Sequence, residues 1–465
     1  MSETTYADRL AGYLTDLTVE MLPDPVVRMA EICSMDYLGV VLAGQITPAS
    51  RMVTDIALGD GGRAESTLFG KASRLPAPAA ALVNGTTCHS IELDDHEAHM
   101  RSKIHGGAVV FSAAWAVAET RPTTGVEFLT AVVAGYDAFG RLSGATDYPD
   151  YLGRVKGFHT TPLFGPFAAA ATAGKLMGLS AEQLANAFGI AGSLCSGLQE
   201  TVRAGAMVKP FHAGWAAQNG IIAARLAARG FTGPRSIFEG SKGFYRAFCG
   251  DGHYDLSVID AKFGDEFDIA LTMFKPYACG GGIHPVLTAV DQLRTEHAIA
   301  PQDVTRIVVH SSKHVVDYFC TPWEAKVAPV SGSHGQHSLP FAVAALMIDG
   351  VALLEQFTDE AVTRPEILAL AAKIVVEVDE SIVSDDPEDE PASVEIHIGD
   401  RVLSRTVRGG KGSLAVPMSE AELAEKYRRL AGPAIGDAAT ALLEARVLQL
   451  RDDADVSDLP SSLAP

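Results

Sequence analysis

The sequence predicts a mainly α protein: a large all-helical domain with a smaller α+β domain inserted into it. Three observations lead there. From Tyr6 to about Ala228, apolar residues recur at helical spacing nearly throughout. After about Asp265, short runs with strand-like alternation appear between helical segments. From Ser419 the helical pattern returns. The helical domain is therefore assigned to residues 1–268 together with 414–465, and the inserted domain to 269–413. The chain has 465 residues. A single core stops growing at roughly 250–300 residues, so two domains agree with the length.

The elements follow from local chemistry. Val26–Gly44 carries Met29, Ile32, Cys33, Met35, Leu38 and Val41 on or near one stripe. Capping boxes mark helix starts at Thr124 with Glu127, Ser180 with Gln183 and Ser419 with Glu422. Gly106–Glu119, Glu127–Leu142, Phe167–Met177 and Ala213–Arg229 are rich in Ala and Gly, which predicts helices crossing at close range. Thr305–Ser311, Lys373–Val378, Ser393–Ile398 and Arg401–Val407 read as strands, the last two joined by a Gly399-Asp400 hairpin turn. Helices are expected between them at His284–Thr295, Gln336–Met347 and Pro365–Ala372, and a last one at Ile435–Leu450. Asp385–Pro391 reads as a solvated acidic loop, and the polar tail Asp452–Pro465 as frayed.

The net charge is −20 (37 basic against 57 acidic residues), a field that repels nucleic acid and anionic membranes. Six scattered cysteines form no C-x-x-C pair and read as free thiols in a reducing compartment. Residues Met1–Asp8 have neither a basic nor an apolar leader region, and no apolar run is long enough to span a bilayer. A cytoplasmic protein is expected, with no nucleic-acid or membrane partner.

Four segments carry the chemistry. Glu92–Gly107 packs carboxylates (among them Asp94 and Asp95), His96, His99, His105, Arg101 and Lys103 just ahead of an apolar helix. That helix would open on Gly106-Gly107, whose free N–H groups suit an anion. Arg154–Pro162 contains Lys156 and His159; Lys209–Gly214 contains His212; Lys275–Pro285 contains Tyr277, a Gly triplet and His284. Four times a cation and a histidine sit before a helix, where the backbone adds partial positive charge. Converged, they would make a cationic pocket in an acidic protein, suited to a small di- or tricarboxylate and to proton removal beside a carboxylate. A neutral His or a desolvated Lys is the natural base. His96/His99 and His334/His337 each offer two imidazoles with neighbouring carboxylates, but His96-Glu97-Ala98-His99 is one residue short of H-E-x-x-H and no third ligand is evident, so no metal is expected. No phosphate-binding Gly loop, dinucleotide fingerprint or G-x-S-x-G elbow occurs, and no coenzyme is expected.

With these residues the chain resembles the MmgE/PrpD family, which includes 2-methylcitrate dehydratase, cis-aconitate decarboxylase and iminodisuccinate epimerase. The resemblance runs from about Leu10 to Leu450 and is most specific at Glu92–Gly107, Gly157–Ser180, Lys209–Pro234, Lys275–Pro285 and His337–Gly350. It implies that the α+β unit is a lid over a cleft, that the site needs no metal or coenzyme, and that the protein is a homodimer. The family's substrate-site Asp and His match the Asp94-Asp95 region and His105, its second His matches His159, and its two lysines match Lys209 and Lys275. Three departures stand out: His96 where Thr is typical, Gly106 where Pro is typical, and Phe341 where an aromatic hydroxyl is common.

The expected activity is proton abstraction next to a carboxylate of a small di- or tricarboxylic acid. Dehydration ranks first, then epimerisation, then decarboxylation. His105, His159 and Lys275 are the expected catalytic groups: Lys275 or His105 takes the proton and His159 stands opposite as acid. Asp94, Asp95, Arg101, Lys103, Lys209, Tyr277 and His212 are assigned to the substrate, with Arg101, Lys103 and Lys209 holding carboxylates. The rival from another class is a non-catalytic polycarboxylate-binding dimer.

Overall fold

The structure, a computed structural model, describes residues 4–97, 104–147, 150–382 and 391–463, with the side chains of residues 97, 150 and 154 left aside. It is mainly α-helical with a small sheet region. Its centre is the helix Val208–Ala227, which crosses Ala77–His89 and Thr160–Leu176. The crossings are close because the contact positions are small. A Cβ placed on Gly214 would lie 2.1 Å from the carbonyl oxygen of Leu82, so any larger residue there pushes the two helices apart. Gly106–Ala118 is buried along its whole length, as its uninterrupted apolar sequence requires. The capping boxes at Thr124, Ser180 and Ser419 all form.

The four-stranded sheet has the order Ile374–Val378, Val304–Ser311, Ala392–Ile398, Arg401–Val407. The first pair is parallel and the others antiparallel. Ala392, Val394 and Ile396 alternate inward and lie against the helix His284–Glu296. The central strand does not alternate as expected: Ile307, Val308 and Val309 are all buried, which is what an inner strand covered on both faces requires. The helix Glu420–Ile435 returns to pack on Asp24–Ala43, where the Lys426 ammonium pairs with Asp36 at 2.7 Å.

One expectation meets a different outcome. The tail is not frayed through residue 463. Val456, Leu459 and Leu463 are buried, the Val456 N–H donates to the Thr123 carbonyl at 2.8 Å, and Arg446 pairs with Asp453 at 2.7 Å. Three spaced apolar side chains thus anchor a segment that looks polar in bulk. The acidic run at residues 385–390 lies outside the described residues. No described helix is long and apolar enough to cross a membrane.

Candidate active site

The site is assembled by helix starts and one tight loop. His105 is the residue before Gly106–Ala118, and His159 the residue before Thr160–Leu176. Lys209 lies in the first turn of Val208–Ala227. Lys275 follows a two-residue ladder in which His96–Glu97 pairs antiparallel with Thr272–Met273. That ladder ties the loop before His105 to the segment of Lys275. His105, His159, Lys209 and Lys275 line one cavity, together with Glu92, His96, Tyr318 and His337.

The cations in this cavity bring their own counter-ions. Glu92, at φ 53° and buried, receives Lys209 Nζ on one oxygen and Lys275 Nζ on the other, the latter at 3.1 Å. Lys275 also lies 3.7 Å from Asp94, and His337 Nε2 lies 3.5 Å from Glu92. Burial opposes ionisation of Glu92, yet Lys209 and Lys275 hold its carboxyl well below the usual range. Burial likewise opposes a charge on Lys275, but Glu92 and Asp94 outweigh it and raise its pKa, so it is an ammonium at neutral pH. Lys209 goes the other way: burial lowers it despite Glu92.

Asp94 organises the imidazoles. Its Oδ2 lies 2.7 Å from His89 Nδ1 and 3.1 Å from His105 Nδ1. The Asp95 carbonyl is a second acceptor for His105 Nδ1, at 3.0 Å. Two acceptors at Nδ1 place its proton there and leave His105 Nε2 as the basic nitrogen. Burial pushes His105 down to about 3 against the pull of Asp94, so its ring is neutral at pH 7. His159 is held well below its usual value by burial and by His212 and Lys209. His159 and His212 meet Nδ1 to Nδ1 at 3.1 Å, so one ring donates to the other.

Not every expected residue faces the cavity. Asp95 turns inward: Gly107 N–H donates to it at 2.8 Å and the Tyr136 hydroxyl donates to its other oxygen. The helix start at Gly106-Gly107 therefore holds a carboxylate of the protein itself, not a free anion. Burial raises Asp95 to about 7. Tyr277 packs edge-on against His284, ring centres 5.3 Å apart, away from the cavity. His212 reaches the site through His159. Arg101, Lys103 and His99 lie outside the described residues. Of the three departures from the family pattern, His96 reaches the cavity, while Phe341 is fully buried against Phe357. The Gly triplet is a close approach and not a loose loop: a Cβ on Gly281 would lie 2.8 Å from His96 Nε2.

Sequence reasoning missed His89, gave Glu92 no role within its segment, and considered His337 only as a metal ligand. Glu92 stood in a run of carboxylates with nothing local to single it out. His89 closes the helix Ala77–His89 and reads as an ordinary helix end.

Comparison with known proteins gives the family. The MmgE/PrpD N-terminal domain matches residues 8–257 and the MmgE/PrpD C-terminal domain matches residues 277–450. The chain belongs to the MmgE/PrpD family. A cis-aconitate decarboxylase-like protein of Aspergillus oryzae is 28% identical over 97% of this chain and 95% of its own length. Cis-aconitate decarboxylase of Aspergillus terreus is 26% identical over 97% and 94%. Cis-aconitate decarboxylase of Mus musculus is 28% identical over 90% and 86%. These matches support an enzyme.

Proposed function

We propose that this family member binds a small di- or tricarboxylate in the cavity and moves a proton at the carbon beside one carboxylate. The observation that carries the reading is the placement of neutral imidazoles, His105 and His159, within one buried cavity that also holds two lysines. Lys275, kept charged by Glu92 and Asp94, is the electrostatic partner of a substrate carboxylate and of the enolate-like charge that develops on it. That removes it from the role of base and leaves His105 Nε2 for proton transfer, with His159 as the second proton carrier. Lys209 holds a further carboxylate. Tyr277 and Asp95 position their neighbours without touching substrate. Residues 269–413 serve as the lid, and the protein works as a homodimer.

Among the outcomes of such a proton transfer, decarboxylation now precedes dehydration and epimerisation, because relatives named for cis-aconitate decarboxylation match over nearly the full length of this chain. In that reaction the C–C bond to one carboxylate breaks, CO2 leaves, and the electron pair left on carbon takes a proton from solvent, relayed through His105 Nε2 or His159. The test is incubation with cis-aconitate, 2-methylcitrate, citrate and iminodisuccinate in D2O, followed by NMR and CO2 release. A deuterated product with equimolar CO2 from cis-aconitate is expected. Absence of turnover and of deuterium exchange on all four would overturn the reading.

A further inference from the structure

His89 has no part in the proton transfer above, yet it is fully buried directly behind His105, which lines the cavity. Its Nδ1 faces Asp94 Oδ2 at 2.7 Å, so the carboxylate takes that side of the ring. Its Nε2 is buried and has no hydrogen-bond partner among the described residues. A buried polar atom left so is uncommon and calls for an explanation. Its ring centre lies 4.4 Å from that of His105 and 6.0 Å from that of His159. One ring nitrogen from each of the three histidines falls within 4.8 Å of the others.

The geometry points to a three-imidazole site for a zinc-class divalent ion at His89, His105 and His159. Imidazole nitrogens are the ligands such ions prefer, and a carboxylate behind a ligating ring is the usual second layer of support. Asp94 provides that layer twice, behind His89 at 2.7 Å and behind His105 at 3.1 Å. The ammonium groups of Lys209 and Lys275 do not forbid a cation, because Glu92 and Asp94 stand against them. Bonds of about 2.1 Å draw the three nitrogens inward from their present spread. The fourth position faces the cavity that His105 and His159 line. A bound ion takes the lone pairs of His105 and His159, so zinc inhibits the proton transfer. That consequence rests on the function proposed above; the binding itself does not. The site differs from the pairs His96/His99 and His334/His337, since its three members come from the ends of three different helices.

The experiment is titration of chelator-treated protein with Zn2+ in equilibrium dialysis and with Co2+ in visible spectroscopy, both without substrate. One equivalent is expected to bind, with the d–d bands of a four-coordinate Co2+. His159→Gln should abolish the bands or weaken binding at least tenfold, and Asp94→Asn should weaken it by about 10–100-fold. His334→Ala, outside the cluster, should leave binding unchanged. His89→Gln repeats the test from the buried side, and His159→Gln keeps it decisive if that variant does not fold. Failure to bind one equivalent, or binding that survives both His159→Gln and Asp94→Asn, overturns the site. Loss of turnover without loss of Co2+ binding would strike only the proposed function.

Discussion

The molecule buries two charged clusters, and they differ in what their groups face. In one, Asp137 accepts from the Tyr13 hydroxyl at 2.7 Å and from the Asp268 N–H at 2.9 Å. Arg141 lies 3.9 Å from both carboxylates, donates to the carbonyls of Ala261 and Glu266, and sits over the rings of Tyr13 and Phe263. These groups turn on one another and on the backbone of residues 261–268, and although Arg141 Nε makes no hydrogen bond among the described residues, it lies between the two carboxylates. In the other, Glu92, Asp94, Lys209 and Lys275 also pair, but His105, His159 and His337 beside them line a cavity, and His89 Nε2 just behind has no hydrogen-bond partner among the described residues. Buried charge alone therefore does not mark a site. Unspent bonding capacity beside a cavity does, because only such groups have something left to offer a ligand.

The comparison breaks first on His105→Gln. If the cavity cluster does chemistry, kcat falls by about 10²–10⁴-fold, the usual worth of a positioned acid or base. Thermal stability should change little, and steady-state kinetics beside calorimetry separates the two effects. Arg141→Met should do the reverse. Removing one partner of a buried ionic cluster costs about 3–5 kcal/mol. Urea titration should show that loss, while kcat/KM of the remaining folded protein stays within about twofold of wild type.

The two clusters also differ in the sign of their pH response. Burial raises Asp137 to about 7, and the Asp268 charge adds to the shift. The folded state thus keeps a proton that the unfolded state has lost, and this cluster loses stability as pH rises from about 4 to about 7. Asp94 and Glu92 are depressed despite burial, so their contribution is present above the ordinary carboxylate range and is lost as pH falls below it. Urea midpoints measured from pH 4 to 8 should rise toward neutrality less steeply in wild type than in Asp137→Asn. The smallest expected effect is that of His96→Thr at the cavity wall. It should alter the ratio of kcat/KM between two tricarboxylates by about tenfold, the scale of one pocket contact, and competition assays would read it.

Much of the fold was legible because its determinants are local. Thr124 with Glu127 and Ser419 with Glu422 announce helix starts through bonds made within one turn. Arg401–Val407 ends where its alternation ends. The burial of the tail was not legible, because Val456, Leu459 and Leu463 find their partners far away in sequence. In the site, His105 and His159 were legible as residues placed before helices and Lys275 as a cation ahead of one, whereas the helix carrying Lys209 and His212 starts earlier than expected, at Val208, and takes both into its first turns. Tyr277 and Asp95 shared those segments, but chain direction at each turn aims them elsewhere.

By itself the sequence determined the order of helices and strands, the supply of cations and histidines, and the family. It could not determine that Glu92 pairs with two lysines, or that Asp94 orients two histidines. Those facts arise where residues 89, 92, 94, 105, 159, 209, 275 and 337 meet. Local propensity acts over a turn of helix or a few residues of strand. Electrostatics and burial act through space, so the charge on Lys275 and the neutrality of His105 were decided only by the tertiary structure.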